Sequence, residues 1–255
     1  TNGASRGLRA RLAFRYAMLR IERGAAARFD RIIYPSVGLM RQYLAVIRHR
    51  CGRGRCGVSH ASVIPSPVRP IPPHPCQQTP ERPLVLFVGK PSIGKGFRDF
   101  EDACVGVLRD RDIRQVRFAH VGPTPPWPHN GWIDHVGPQS RQGVEEWLCR
   151  ASVVVVPSRI PDALPRVALE AMAHGRFLVV SDRGGLPECV KPGVTGFVVP
   201  AGQPQELARA IGVALSDTQK LAPGGEWARR LAKERYAPEK IAEAHERMYE
   251  GLIHG

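Results

Sequence analysis

The sequence contains no long hydrophobic stretch. No run approaches the ~20 consecutive apolar residues that a membrane-spanning helix needs, and the N-terminus lacks the apolar core of a signal peptide. These two absences favour a cytoplasmic protein that is either soluble or peripheral at the inner membrane surface.

Paired cysteine motifs are lacking as well. There is no CxxC pair and no metal-ligand spacing, and the basic loop between Cys51 and Cys56 has no further zinc ligands nearby. The cysteines therefore predict no zinc site. All six cysteines are predicted to be reduced thiols, as in most cytosolic proteins, and they stand at Cys51, Cys56, Cys76, Cys104, Cys149 and Cys189.

Acidic residues are scarce at the N-terminal end. Residues 1–60 carry 13 arginines against Glu22 and Asp30, and they hold most of the formal net charge of +14. The segment from Leu8 to Arg23 has apolar residues near helical spacing, which indicates an amphipathic helix. Three interpretations stay open: a solvated helical face, a surface that covers another part of a larger protein, and attachment to an anionic membrane. Nucleic acid is disfavoured because no aromatic residues are interleaved with the basic ones.

From Leu84 onward the hydrophobic pattern alternates between strands and helices. A chain of 255 residues with 43% hydrophobic content can bury a full core. The pattern predicts an α/β fold, with a Rossmann-like parallel sheet and helices on both faces. The predicted elements are strands at Leu84–Val88, Val116–Val121, Val153–Val156 and Phe177–Ser181, with helices after Gly96, near Gly143–Cys149, after Pro165 and from Gln205 on.

The preceding residues are organised differently. Residues 5–23 and 36–50 are predicted to be helical, with a short strand at Arg31–Tyr34 between them, and Pro65–Pro83 is too rich in proline for regular structure. We expect a basic, helical segment over 1–68, a linker over 69–83 and the α/β domain over 84–255.

The most informative stretch follows the apolar strand Val153–Val156. A polar turn leads to Pro165, which suits the first turn of a helix, and Asp162 and Glu170 stand eight positions apart across that turn. Arg166 in the first helical turn opposes the helix dipole, a conflict that a bound phosphate relieves. A ligand site at the carboxyl ends of the strands is therefore predicted.

A second glycine turn stands at the end of the next strand. Asp182-Arg183-Gly184-Gly185-Leu186-Pro187-Glu188 follows Phe177–Ser181, and backbone without side chains can approach a ligand closely.

These residues resemble the C-terminal domain of family 4 glycosyltransferases, the group 1 glycosyl transferases of GT-B fold. The resemblance runs from about Ala25 to the C-terminus, and the chain departs from the family at Asp162, where Glu is usual, and at Lys90, where Arg is usual. The matching segments are Phe29–Ser36, Val63–Val68, Val88–Lys90 with Lys95-Gly96, Asp162–Gly175, Gly184–Glu188 and Gly193–Val199.

The resemblance implies a retaining glycosyltransferase that uses a UDP-, GDP- or ADP-linked sugar without a metal or a cofactor. It also implies that residues 1–68 are a remnant of the N-terminal, acceptor-side domain and that residues 84–255 are the donor-binding domain. Glu170 would accept hydrogen bonds from the ribose and Asp162 from the transferred sugar, while Lys90 and Lys95 reach the diphosphate. For Glu170 and Asp162 a surface acid and a helix cap remain the plainer alternatives, and for each lysine a solvated turn. Backbone around Pro165, Arg166 and Val167 would face the phosphate, and Gly137-Pro138-Gln139 the nucleobase.

Two other functions need weighing. Gly89–Lys95, which follows the strand Leu84–Val88, satisfies the pattern GxxxxGK, but Gly96 stands where an NTPase P-loop has Ser or Thr.

A non-catalytic or split nucleotide-sugar-binding protein that needs a partner subunit is the alternative to an enzyme. The acceptor would be a glycan, a lipid or a small molecule. Since the chain starts at Thr1 and the resemblance covers only the donor half, we expect binding without transfer by the isolated chain.

Overall fold

The computed structural model describes residues 31–51, 61–69, 82–110, 113, 115–128, 131–216 and 218–253. The predicted helix over 5–23 and most of the predicted linker lie outside these ranges. The two domain boundaries therefore stay predictions.

The described residues form eight strands and seven α-helices. The strands are β1 (Ile32–Tyr34), β2 (Ala61–Val63), β3 (Leu84–Val88), β4 (Arg117–Val121), β5 (Ile133–Gly137), β6 (Val153–Val156), β7 (Phe177–Ser181) and β8 (Gly196–Val199). The helices are α1 (Val37–Cys51), α2 (Phe97–Leu108), α3 (Arg141–Arg150), α4 (Arg166–Ala173), α5 (Pro204–Ser216), α6 (Thr218–Tyr236) and α7 (Pro238–Ile253), with a short 3₁₀ turn at Leu186–Cys189.

Strands β3 to β8 form one parallel sheet in the order β5-β4-β3-β6-β7-β8. The chain first builds outward from β3 to β4 and β5, then returns to place β6 on the other side of β3. This reversal opens a crevice between the carboxyl ends of β3 and β6, which is the usual ligand site of such sheets. The predicted α/β class with a parallel sheet is confirmed.

Hydrophobic cores lie on both faces of this sheet because successive strand residues point to opposite sides. Leu84 and Leu86 belong to the core that α3, α4 and α6 cover, whereas Val85 and Phe87 belong to the core under α2 and α5. The continuous apolar runs of the strands follow from this double coverage.

A second, two-stranded sheet pairs β1 with β2 in parallel. The predicted strand and helix in this part of the chain are observed at β1 and α1. The strands β2 and β8 were not predicted, because three or four residues with little alternation give almost no signal.

The cysteines differ from the expectation. Cys104 and Cys189 are buried free thiols, but Cys149 is disulfide-bonded, so the prediction of reduced thiols is wrong for Cys149. Sequence spacing could not show this, since the fold decides which cysteines meet. Burial raises the pKa of Cys104 and raises that of Cys189 to about 12, so neither thiol is a nucleophile at neutral pH. The side chains of Cys51, Cys56 and Cys76 lie outside the described residues.

Candidate functional site

Three loops meet at the carboxyl edge of the six-stranded sheet. The first loop (residues 89–96) follows β3, the second loop (residues 157–165) follows β6, and the glycine turn (Gly184 and Gly185) follows β7. Because β3, β6 and β7 are neighbours in the sheet, these loops lie side by side.

The first and second loops are joined through their backbones. The carbonyl oxygen of Gly94 accepts hydrogen bonds from the N–H groups of Arg159 and Ile160, at 2.9 and 3.3 Å. Gly96 has a φ of +72°, and a Cβ there would lie 1.9 Å from the carbonyl oxygen of Pro157. Only glycine fits at position 96, so the two loops are held at one fixed separation.

His120 supports the first loop from within the core. This side chain is 0% exposed, its Nε2 lies 2.9 Å from the carbonyl oxygen of Gly89, and its Nδ1 lies 3.2 Å from Nδ1 of His135. Burial lowers the pKa of His120, so its ring is neutral at physiological pH and can donate to Gly89.

An ion pair between Lys95 and Asp162 bridges the first two loops. The Lys95 ammonium lies 2.7 Å from both Asp162 carboxylate oxygens, and Ser158 Oγ donates to Oδ2 of the same carboxylate at 2.7 Å. Ser158 is in turn fixed by Ser181, whose Oγ donates to its carbonyl oxygen at 2.6 Å. The structure thus brings together two of the three residues predicted to be catalytic.

The glycine turn supports the backbone of Asp162. The N–H of Gly185 donates to the Asp162 carbonyl oxygen at 2.9 Å, and a Cβ on Gly184 would lie only 1.8 Å from that oxygen. A side chain at position 184 would therefore displace the loop that carries Asp162.

Glu170 lies on α4, directly after the second loop. Its side chain is 14% exposed, and Oε1 lies 3.4 Å from Nη1 of Arg69. Helix α4 begins at Arg166, so Pro165 precedes the helix in an extended conformation, with a ψ of 125°, and does not occupy the predicted first helical position. The difference is one residue, and proline at either position costs no helical hydrogen bond.

The other predicted residues lie on the same edge of the sheet. Lys90 and Arg166 are exposed and Val167 is half-buried. The N–H groups of Arg166 and Val167 precede the first intrahelical donor, Ala168, and so belong to the free end of the helix.

The predicted nucleobase segment lies further along this edge. Gly137, with a φ of +81°, ends the edge strand β5, and Gln139 is exposed. The roles of all these residues stay predictions.

The GxxxxGK pattern of the first loop does not build a phosphate-binding loop. The N–H groups of Lys95 and Phe97 donate to the carbonyl oxygen of Ser92, and that of Gly96 donates to Ile93. These donors are used within the loop, whereas a P-loop directs them to phosphate.

Two acidic residues of this region were not predicted. Asp99 is 2% exposed, and both of its oxygens accept hydrogen bonds from Arg159 of the second loop. Glu188 is the last residue of the motif Gly184–Glu188, and its carboxylate accepts hydrogen bonds from the backbone N–H groups of Val37 and Gly38 at the start of α1. The motif containing Glu188 was the only available signal, since nothing local identifies partners so far apart in sequence.

Within the described ranges, no cluster of three histidine, cysteine or acidic side chains could hold a metal ion. No described helix has the length and hydropathy to cross a bilayer.

The family model of the group 1 glycosyl transferases matches residues 82–217, which is just over half of the chain. The chain belongs to this family. A D-inositol 3-phosphate glycosyltransferase from Jonesia denitrificans is 33% identical over 144 residues, which are 56% of this chain and 29% of that protein. Spore coat protein SA of Bacillus subtilis is 33% identical over 185 residues, or 66% of this chain and 48% of that protein. The chain thus spans less than half the length of these two relatives.

Solved structures of GT-B glycosyltransferases share the fold. Sucrose-phosphate synthase from Thermosynechococcus elongatus superposes with a TM-score of 0.73 at 23% identity, over 93% of this chain and 62% of that one. HepE of Anabaena, solved with UDP and glucose, gives a TM-score of 0.70 at 21% identity, over 92% and 66%. These likenesses, together with the parallel sheet, confirm the Rossmann-like half of a GT-B fold.

Proposed function

We propose that this chain is the donor-binding half of a retaining glycosyltransferase, which moves a sugar from a nucleotide sugar to an acceptor hydroxyl. The observation that carries the proposal is the meeting of Lys95, Asp162 and the glycine turn at one edge of the sheet, beside α4 and Glu170. A nucleotide sugar requires cations and N–H donors for its diphosphate, and carboxylates for its hydroxyl groups. Both kinds of group are present in the same crevice.

The diphosphate is the group that Lys95 is best placed to bind. Its ammonium has three N–H donors, and Asp162 uses two of them, so the third can point to a phosphate oxygen. Lys90, Arg166 and the N-terminus of α4 add positive charge around that position. Fixed cations can stabilise the departing diphosphate without a metal ion or a cofactor.

The carboxylates hold the sugar rings. Glu170 accepts hydrogen bonds from the two ribose hydroxyls, using lone pairs that Arg69 does not face. Asp162 accepts from hydroxyls of the transferred sugar, since a carboxylate offers about four acceptor positions and Lys95 and Ser158 occupy only part of them. The nucleobase lies against Gly137 and Gln139 at the end of β5.

The chemistry follows from these contacts. The bond between the anomeric carbon and the diphosphate breaks, and its electron pair leaves with the diphosphate. The acceptor oxygen forms the new bond on the face from which the diphosphate departs, which keeps the anomeric configuration, and the hydroxyl proton of the acceptor passes to an oxygen of the diphosphate. The transition state resembles an oxocarbenium ion. Rigid hydroxyl contacts at Asp162 and fixed charge at Lys95 and Lys90 therefore accelerate the step by orientation and electrostatic stabilisation.

The acceptor is a glycan, a lipid or a small molecule, and the protein acts in the cytoplasm. The 13 arginines of residues 1–60 favour a peripheral position at an anionic membrane surface. HepE of Anabaena has been solved with UDP-glucose, so UDP-glucose is the first donor to test here.

Calorimetric titration with UDP-glucose, GDP-mannose and ADP-glucose tests the proposal, with a thermal-shift measurement beside it, because a ligand that binds only the folded state raises the Tm. At least one donor should bind, and Glu170→Ala should weaken it. With a candidate acceptor and the acceptor-binding half supplied as a partner chain, product analysis by proton NMR should show the anomeric configuration of the donor. Binding of none of the three donors would contradict the proposal. The isolated chain is expected to bind donor without transferring sugar, so only absence of transfer in the presence of the acceptor-binding half would favour a non-catalytic nucleotide-sugar-binding protein.

A further inference from the structure

We propose that Glu188 is a positioning residue of the donor site. It fixes the N-terminus of α1 on the glycine turn that supports the loop of Asp162, and the sugar part of the donor depends on this support more than the nucleotide part does. This inference rests on the proposed function, because it assigns the sugar contact to Asp162.

The first observation is the way in which Glu188 caps α1. Its Oε1 accepts a hydrogen bond from the N–H of Gly38 at 2.7 Å, and its Oε2 accepts one from Val37 at 3.2 Å. Helix α1 has no acidic residue in its own first turn, and Ser36 Oγ caps the N–H of Leu39 at 3.2 Å. A carboxylate from 150 residues away thus supplies the negative charge that the helix end lacks.

The second observation is that α1 lies directly on the glycine turn. The backbone of Gly38 lies against that of Gly184, so that a Cβ added to Gly38 would stand 1.9 Å from the carbonyl oxygen of Gly184. A Cβ added to Gly185 would stand 2.7 Å from the Cβ of Ser36. The helix end and the turn are therefore in contact at two points, an arrangement that a side chain at Gly38 or Gly185 would prevent.

The third observation links this contact to Asp162. The N–H of Glu188 donates to the Gly185 carbonyl oxygen at 3.1 Å, and the N–H of Gly185 donates to the Asp162 carbonyl oxygen at 2.9 Å. Two backbone hydrogen bonds thus separate the cap of α1 from the residue that we assign to the sugar. The Tyr236 hydroxyl also donates to the Glu188 carbonyl oxygen, at 3.4 Å, so this turn is held from the side of α6 as well.

The ribose contact and the N-terminus of α4 lie outside this chain of bonds. Glu170 and the N-terminus of α4 follow the second loop and are packed into the core through Ala168 and Leu169. A change at Glu188 should therefore loosen the Asp162 loop, and with it the partner of Lys95, while the ribose contact and the N–H donors of α4 persist.

Two variants of Glu188 test this inference. Glu188→Ala removes both hydrogen bonds, whereas Glu188→Gln keeps one acceptor oxygen and should rescue part of the effect. Asp134→Ala, which removes an exposed ion pair with Arg117, is the surface control.

The first measurement needs no ligand. Amide hydrogen exchange should rise in Glu188→Ala in peptides that cover the second loop and the glycine turn, in addition to the first turn of α1. An increase confined to α1 would overturn the inference and make Glu188 a local helix cap.

The second measurement compares each nucleotide sugar with its own nucleoside diphosphate: UDP-glucose with UDP, GDP-mannose with GDP, and ADP-glucose with ADP. In Glu188→Ala the ratio of the nucleotide-sugar affinity to the diphosphate affinity should fall by roughly tenfold, the scale of one lost hydrogen bond to a charged group, because the diphosphate keeps its contacts with α4 and loses less. An equal loss for both ligands would overturn the inference. If the wild type binds none of the six, the proposed function fails, and the exchange data still decide whether Glu188 supports the Asp162 loop.

Discussion

The ammonium group of Lys95 lies 2.7 Å from both carboxylate oxygens of Asp162, although 67 residues separate the two in sequence. The pair is partly shielded, with side-chain exposures of 41% for Lys95 and 18% for Asp162. An ion pair of this kind places a cation and an acceptor at one point of the crevice, as a sugar bound to a diphosphate requires.

Replacement of Lys95 by Ala should therefore affect both halves of the donor. The diphosphate loses a cation, and Asp162 loses the partner that orients it, so donor affinity should fall by roughly tenfold to a hundredfold. Isothermal titration of the variant with UDP-glucose and UDP measures both effects. In a double-mutant cycle with Asp162→Asn, the two changes should be non-additive, because the residues are in contact. Additive losses would show that the ion pair does not operate in the bound state.

Replacement of Glu170 by Ala should weaken binding of every nucleotide by about 1.5 to 3 kcal/mol, the scale of hydrogen bonds to a charged group. The Tm without ligand should change little, since the partner of Glu170, Arg69, is 36% exposed and can be solvated. Calorimetry with UDP and with 2′-deoxy-UDP separates the ribose contact from other effects. Equal affinities of wild type and variant for UDP would contradict the ribose assignment.

Much of the site could be predicted from sequence because it depends on local patterns. The apolar strand β6, the turn with Pro165 and the glycines at 184 and 185 each carry a signal within a few residues. Their common location follows from one rule, since the carboxyl ends of neighbouring parallel strands share an edge of the sheet.

The pairings within the site could not be predicted in the same way. Asp99 with Arg159 and Glu188 with α1 join residues 60 or more positions apart, and neither periodicity nor composition constrains such contacts. The partner of Asp162 was missed for a related reason. Lys95 and Asp162 were each assigned to a different part of the ligand, and only the path of the first loop shows that they meet.

Nucleotide binding should survive removal of divalent metal. Lys95, Lys90, Arg166 and the α4 N-terminus supply positive charge at the crevice, so EDTA should leave the affinity for UDP unchanged within error. The measurement is a titration in excess EDTA, with the same titration in Mg²⁺ or Mn²⁺ as its control. A strict requirement for either ion would instead indicate a metal-dependent transferase.

Stability should fall as the solution becomes mildly acidic. Burial lowers the pKa of His120 and of His174 from the ordinary value of 6.5. Below that value the unfolded chain takes up protons that the folded chain resists, so the free energy of unfolding decreases, by at most about 1.4 kcal/mol per pH unit for each histidine. Above it the two histidines contribute no slope.

Urea denaturation between about pH 5 and about pH 7.5 measures this dependence. His120→Gln can still donate to Gly89, and it should show a shallower decrease than the wild type toward acid pH. Identical slopes for the two proteins would contradict the assignment to His120.

The buried carboxylate of Asp99 makes the second loop sensitive to the loss of Arg159. Arg159→Ala would leave a charge that is 2% exposed without its guanidinium partner, and breaking a buried pair from one side costs about 3 to 5 kcal/mol. Because Arg159 itself is 42% exposed, water can enter and the lower end of that range is expected.

The double variant Asp99→Ala/Arg159→Ala should regain part of the loss, since neither charge then remains alone. Urea denaturation of the two variants measures the effect, with Arg209→Ala, at an exposed ion pair on α5, as a control that should change stability by less than about 0.5 kcal/mol. A double variant less stable than Arg159→Ala would show that Asp99 supports the fold by contacts other than this pair.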